Sequence, residues 1–376
     1  VTGSSDVCSS DLMDGLRLDA THALVDTSPE HLLAQLAREV AACISDREVH
    51  LIAEDERNLN TLLHPVSRGG AGMTGVWTDD FHHAVRRHLA GDRDAWFADF
   101  TGDIGEIATA VRDGWVFTGQ YASHFGGARG TPPHDVPIEA AVICLQDHDQ
   151  IGNRAFGDRL HHGIDIAAWL AASALLLTAP ETPLLFMGQE WAASTPFLYF
   201  TDHEPGLGRQ VIDGRRREFR RFAAFASDLA SARIPSPQDI ATWRASVLDW
   251  TEPAKPIHAH VLAETTALLG IRAAHLSMPR DRTSIRCDVV GPRALCLAQP
   301  SACGGHLVTI VDFSDTPARF VPWPRNVAGR EVRLLHATAS TAAPRATSVS
   351  VEGDAIAIDA PSAPYAVVLH TAGVSS

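Results

Sequence analysis

The chain has 376 residues, 45% of them hydrophobic and 20% charged, the proportions of a globular protein with room for more than one domain. Its formal net charge of −14 argues against non-specific nucleic-acid binding and against an anionic membrane surface, and suits a neutral substrate such as a sugar. The six cysteines (Cys8, Cys43, Cys144, Cys287, Cys296, Cys303) show no metal-ligand or redox spacing, so a reduced, cytoplasmic setting is expected and no metal.

In chain order, Val1 to Leu12 precedes Met13, is Ser/Asp-rich and lacks the charged and apolar regions of a signal peptide. It reads as a foreign leader outside the fold. Gly15 to Asp19 is a strand. Ser28-Pro29 then starts a helix, with Leu32, Leu33, Leu36 and Val40 on its apolar face. Val49 to Ala53 is a second strand and Gly75 to Thr78 a third. Ile104 to Arg112 is helical, Ala140 to Leu145 a fourth strand, Asp165 to Thr178 an almost wholly apolar helix, and Leu184 to Met187 a fifth strand. The apolar run Ile164 to Ala179 is too short for a membrane span and contains Asp165. Arg215 to Ala232 reads as a helix, while Trp115 to Gly119 fits no element. Alternating strands and helices indicate a parallel sheet, with polar residues gathered at the C-terminal strand ends. After about residue 280 the pattern becomes short strands: His306–Val311, Glu331–Leu335, Ser348–Val351, Ala355–Ile358 and Ala366–Leu369, with a hairpin turn at Glu352-Gly353-Asp354. The expected division is 1–12 leader, 13–280 α/β, and 281–376 antiparallel β-sandwich. The glycine runs at 69–72 and 126–130 read as loops, since no helix start follows them.

Three strand ends carry a carboxylate: Asp19, Glu54 and Asp149. Arg17 and Asp19 share one strand face, where the arginine favours the ionised acid. Cleaving a glycosidic bond needs a proton donor to the leaving oxygen and a second carboxylate for the cationic sugar carbon. Glu54 follows an apolar run that could raise its pKa enough for acid work. Trp77, Phe81, Trp191, Phe197, Tyr199 and Phe200 offer flat faces for sugar rings or serve as core, with Trp191 best placed as a platform. The adjacent His82 and His83 do not face the same way, so a metal reading is weak.

Gly15-Leu-Arg-Leu-Asp-Ala-Thr-His22, Leu51-Ile-Ala-Glu-Asp55 and Leu145-Gln-Asp-His-Asp-Gln150 resemble the fourth-, fifth- and seventh-strand motifs of the α-amylase superfamily. Val76 to His83, Gly119-Gln120-Tyr121, Asp147 to Arg154 and the run Leu185 to His203 look, within that superfamily, like the family of hydrolases acting on maltooligosyl trehalose. The resemblance covers roughly Gly15 to Phe222. It implies a partial (β/α)8 TIM barrel, strands four to eight, followed by the β-sandwich, and a retaining reaction with no organic cofactor. It implies Asp19 as nucleophile, Glu54 as acid and base, and Asp149 as stabiliser of the distorted sugar. It implies substrate contacts at Arg17, His22, Trp77, Asp79, Asp80, His82, His83, His148, Gln150, Asn153, Arg154, Glu190 and Trp191. The substrate implied is maltooligosyl trehalose and related α-glucans, with functional pairing to a maltooligosyltrehalose synthase. A branching or debranching enzyme, or an inactive glucan-binding fragment, stays open. In the family an N-terminal β-sandwich and three barrel strands precede the fourth-strand motif, so the expectation is a truncated chain, poorly folded or inactive as written.

Overall fold

The computed structural model describes residues 14–225, 233–276, 278–280, 282–316, 320–322, 332–338, 347–360 and 364–371. The leader 1–12, Cys8 and the end of the helix expected to Ala232 lie outside them.

Five strands form one parallel sheet: β1 (Gly15–Leu18), β2 (His50–Glu54), β3 (Gly75–Trp77), β6 (Ala141–Cys144) and β7 (Thr182–Leu184), in the order β1-β2-β3-β6-β7. Between β3 and β6 a two-residue ladder pairs β4 (Tyr121–Ala122) with β5 (Gly127–Ala128). Spatial order equals chain order, as in the wall of a (β/α) barrel, whereas a doubly wound sheet reverses at a switch point. Among the described residues the sheet does not close, and β1 and β7 are its edges.

The helices between the strands are α1 (Leu32–Cys43), α2 (Asp80–Leu89), α3 (Ile104–Asp113), the short α4 (His148–Gly152) and α5 (Ile166–Thr178). The expected start of α1 at Ser28-Pro29 is corrected: His31 is the N-cap, accepting the Leu33 amide at 3.2 Å, while Asp26 accepts Ser28 and the Leu32 amide. Asp103 and Asp165 cap α3 and α5, accepting the amides of Gly105 and Ala167 at 2.6 and 2.7 Å. All of α5 except Ile166 is buried. It packs on β10, β15 and α8 (defined below), so it is apolar all round. The helix expected at Arg215 instead begins at Pro205, with proline in its first turn, and runs to Glu218 as α6. Two elements not singled out in the sequence follow, α7 (Ile240–Ala245) and α8 (Pro256–His275). On α8, Arg272 donates to the carbonyls of Leu177, Ala179 and Glu181 at 3.2, 2.7 and 2.6 Å, satisfying backbone left free at the end of α5.

The C-terminal part holds β8 (Arg286–Gly291), β9 (Ala294–Pro300), β10 (His306–Asp312), β11 (Phe320–Pro322), β12 (Val332–Ala337), β13 (Ser348–Glu352), β14 (Ala355–Asp359) and β15 (Tyr365–Thr371). One antiparallel sheet runs β12-β15-β10-β9-β8 and a second β11-β14-β13. Val308, Ile310, Val367 and Leu369 meet Val321, Ile356 and Ile358 between the sheets, which makes the expected sandwich. The other face of the larger sheet, with Leu295, Leu297, Leu307 and Val368, joins the core around α5. Thr309 Oγ1 and Gln299 Nε2 bond Thr178 across this junction at 2.8 and 2.6 Å.

Candidate active site

The C-terminal ends of β1, β2 and β3 bring Arg17, Glu54 and Trp77 together. β1 ends at Leu18, and Ala20 takes a left-handed conformation with φ 46°, sparsely populated for a non-glycine residue. That twist aims the Ala20 amide at Glu54 Oε2, 2.8 Å away. Thr21 Oγ1 stands 2.9 Å from both the Glu54 carbonyl and Asp55 Oδ2, tying the turn to the end of β2. The Arg17 guanidinium pairs with Asp19 through Nη1 and lies 2.7 Å from Glu54 Oε2 through Nη2. Its carbon sits 4.3 Å from the Trp77 ring centroid. Burial pushes Glu54 above the usual glutamate range. The Ala20 amide and Arg17 oppose that rise, while the charge of Asp149 and contact with Asp19 add to it.

Asp149 comes from α4, which Asp147 caps by accepting the Gln150 amide at 2.8 Å. His148 Nε2 lies 3.4 Å from Asp149 Oδ2. Glu54 and Asp149 face a cleft of about 420 Å³, with His22, Asp79, Gln150 and Asn153 also on its walls. Arg215 donates to Asn153 Oδ1 at 2.8 Å and stacks over Tyr199, 3.9 Å from its centroid. Chemically, one guanidinium spans two carboxyls with a third acid facing them.

Several of the expected substrate contacts are engaged by other groups of the protein. Asp80 is fully buried: one oxygen pairs with Arg129 at 2.7 Å, and the other accepts Asn58 Nδ2 and the amides of Val116 and Phe117 at 2.9, 2.6 and 3.0 Å. It holds the unplaced 115–119 stretch and presents no face to sugar. His82 is buried with Nε2 3.3 Å from Asp79 Oδ1, so it supports Asp79; with burial opposing, that contact keeps Asp79 low. His83 is on the cleft wall too, packed among His82, Phe97 and Phe100 with centroids 4.1, 5.1 and 5.5 Å away, and burial drives it far below the usual histidine range. Arg154 donates to Asp158 at 2.6 Å and to Asp92 at 2.9 Å; Asp92 also takes Arg86, so these charges tie the Asp149 loop to the end of α2. Trp191 is buried with Ala193, Leu248 and Leu262 and tilts against Trp250 at 5.4 Å. The charge of Glu190 faces the buried Arg159. Of the other aromatics, Phe81 is fully buried and Phe197 packs on Phe186 at 5.0 Å.

The turn after β7 places Trp191 inward. Gly188 has φ 81°, and a Cβ there would meet Ala193 Cβ and Leu248 Cδ2 at 2.8 Å. Sequence reasoning missed Arg129, Trp96 and Phe222 on the cleft wall. Arg129 was hidden in a glycine-rich stretch read as a free loop; its Nε donates to the Glu56 carbonyl at 2.8 Å.

No family model matches the chain. The malto-oligosyltrehalose trehalohydrolase of Rhizobium sp. strain M-11 is 40% identical over 273 residues, 71% of this chain and 45% of that protein. The enzyme of that name from Deinococcus radiodurans is 41% identical over 69% of this chain and 42% of its own length. The Saccharolobus solfataricus one is 33% identical over 69% and 43%. Over this span the chain belongs to the malto-oligosyltrehalose trehalohydrolase family. It covers less than half the length of these relatives. Among solved structures, a Salmonella typhimurium protein with a provisional alpha-amylase name superposes with TM-score 0.76 at 32% identity, over 96% of this chain and 57% of that one. A Nostoc punctiforme debranching enzyme, at TM-score 0.55 and 15% identity over 95% and 57%, shares the fold alone.

Proposed function

We propose that this chain carries the acid machinery of a retaining glycoside hydrolase that cleaves the α-1,4-glucosidic bond next to the trehalose end of maltooligosyl trehalose and releases trehalose. The observation that carries this reading is the Arg17 guanidinium shared by Asp19 and Glu54, with Asp149 facing Glu54. Asp19 attacks the anomeric carbon and forms a glycosyl-enzyme. Glu54, whose pKa burial raises, gives its proton to the leaving oxygen, then takes one from the water that releases the sugar. Asp149 stabilises the oxocarbenium-like ring. His22, Asp79, His148, Gln150 and Asn153 bind hydroxyls around the bond.

On this reading the parallel sheet is strands four to eight of a (β/α)8 barrel, residues 13–280, and 281–376 is the β-sandwich domain. The five described cysteines are free, which suits a cytoplasmic setting; no described helix is long and apolar enough to cross a membrane. A maltooligosyltrehalose synthase would supply the substrate. Product analysis tests the reading. Trehalose released from maltooligosyl trehalose supports it; new or lost α-1,6 branches in glycogen, without trehalose, replace it with a branching or debranching activity.

A further inference from the structure

Trp77 ends β3 between the two halves of the site. Arg17 covers its face at 4.3 Å, and the His148 ring meets it edge-on, with centroids 6.2 Å apart at 70°. Arg17 reaches Asp19 and Glu54; His148 reaches Asp149 at 3.4 Å. Acids from three chain segments therefore converge on one indole.

Arg17 needs that support. Neither its Nε nor its Nη2 makes a hydrogen bond among the described residues, the Nη2 contact with Glu54 being an ion pair alone, whereas Arg129 and Arg159 each anchor Nε on a backbone carbonyl, at 2.8 and 2.7 Å. The plane of the Arg17 fork is held by its two carboxylates and by the ring beneath it. Stacking on an indole attracts a guanidinium and fixes its plane. A ring face already covered by a guanidinium is also closed to a sugar. We infer that Trp77 is a positioning residue, holding Arg17 against Asp19 and Glu54 and bracing His148 beside Asp149, and is not a sugar platform, one of the two roles that the sequence left open. The inference rests on the reading of Asp19, Glu54 and Asp149 as the working acids.

The titratable and charged groups around Glu54 are Arg17, Asp19 and His22 from the end of β1, Asp79 from the end of β3, His148 and Asp149 from α4, Glu56 from its own loop, and, farther along the cleft wall, His83, Asp99, His124, Arg129, Glu218 and Arg221. Arg17 pulls the Glu54 titration down, so a guanidinium freed from the indole lets it rise.

The test is the ¹³C carboxyl titration of Glu54 in the whole chain, for the parent, Trp77→Phe and Trp77→Leu. Trp77→Leu should titrate at higher pH than the parent, and Trp77→Phe, which keeps a ring face, near it. Trp77→Met takes the place of Trp77→Leu if the latter does not fold. An unchanged titration in a folded variant without the ring overturns the inference. In hydrolysis, kcat of Trp77→Leu should fall about tenfold with KM within about a factor of two. A rise in KM at constant kcat is the signature of a platform and also overturns it. New or lost α-1,6 branches in glycogen, without trehalose, defeat the functional reading, while the titration still decides the role of Trp77.

Discussion

Arg17 Nη2 lies 2.7 Å from Glu54 Oε2 while Nη1 of the same guanidinium pairs with Asp19, so one cation serves both candidate acids. The two acids differ in setting: Glu54 is partly buried, while Asp19 is 78% exposed at its side chain.

The pH dependence follows. A general acid must be protonated to act, and Glu54 is held above its ordinary range chiefly by burial. Activity should therefore fall as pH rises through a value above the ordinary glutamate pKa of about 4.3. Arg17→Gln removes a lowering influence and should move that basic limb to higher pH while reducing kcat. A basic limb at or below the ordinary glutamate value, or one moved down by Arg17→Gln, would contradict the assignment.

Asp19→Asn should abolish turnover by roughly 10³-fold or more. Since the side chain is largely exposed and its main partner is Arg17, the melting temperature should stay close to the parent's. Near-normal turnover in a folded Asp19→Asn protein would remove Asp19 as nucleophile.

Asp80 and Arg129 form a buried pair in which Asp80 also collects three further hydrogen bonds. Asp80→Ala leaves Arg129 charged and unpaired beneath the cleft, at a cost of about 3–5 kcal/mol. Thermal or denaturant unfolding measures it. The neighbouring Asp79→Ala should weaken substrate binding with a smaller stability loss, and equal losses for the two would undo this distinction.

His83 lies neutral in an aromatic nest. His83→Phe should keep stability and KM close to the parent's, because a ring of similar shape replaces one whose nitrogens bond nothing among the described residues. A large rise in KM would restore His83 as a hydroxyl binder.

Much of this arrangement was legible before the structure, and the reasons are local. Apolar runs that end in Asp19 and Glu54 announce strand ends, and Arg17 shares a strand face with Asp19, whereas Asp149, expected at a strand end, stands in α4 beyond the end of β6 at Cys144. The errors are tertiary. Asp79 and Asp80 are neighbours in sequence, yet the start of α2 turns one to the cleft and the other to Arg129, in a loop far along the chain. Trp191 looked exposed beside a strand end, but its burial depends on Leu248 and Leu262, which no local pattern reveals. The role of Trp77 stayed open between platform and core because nothing in the spacing says that Arg17 covers its face. β9 escaped notice because it is buried on both faces and lacks alternation.

The division of labour between Asp19 and Glu54 is the central claim, and covalent trapping reads it most directly. In Glu54→Gln protein, an α-glucosyl fluoride needs no acid to leave, and the glycosyl-enzyme lacks its base for hydrolysis, so the adduct should accumulate. Peptide mapping by mass spectrometry should find one hexose on Asp19. A hexose on Asp149, or turnover of the fluoride with inversion and no adduct, would contradict it.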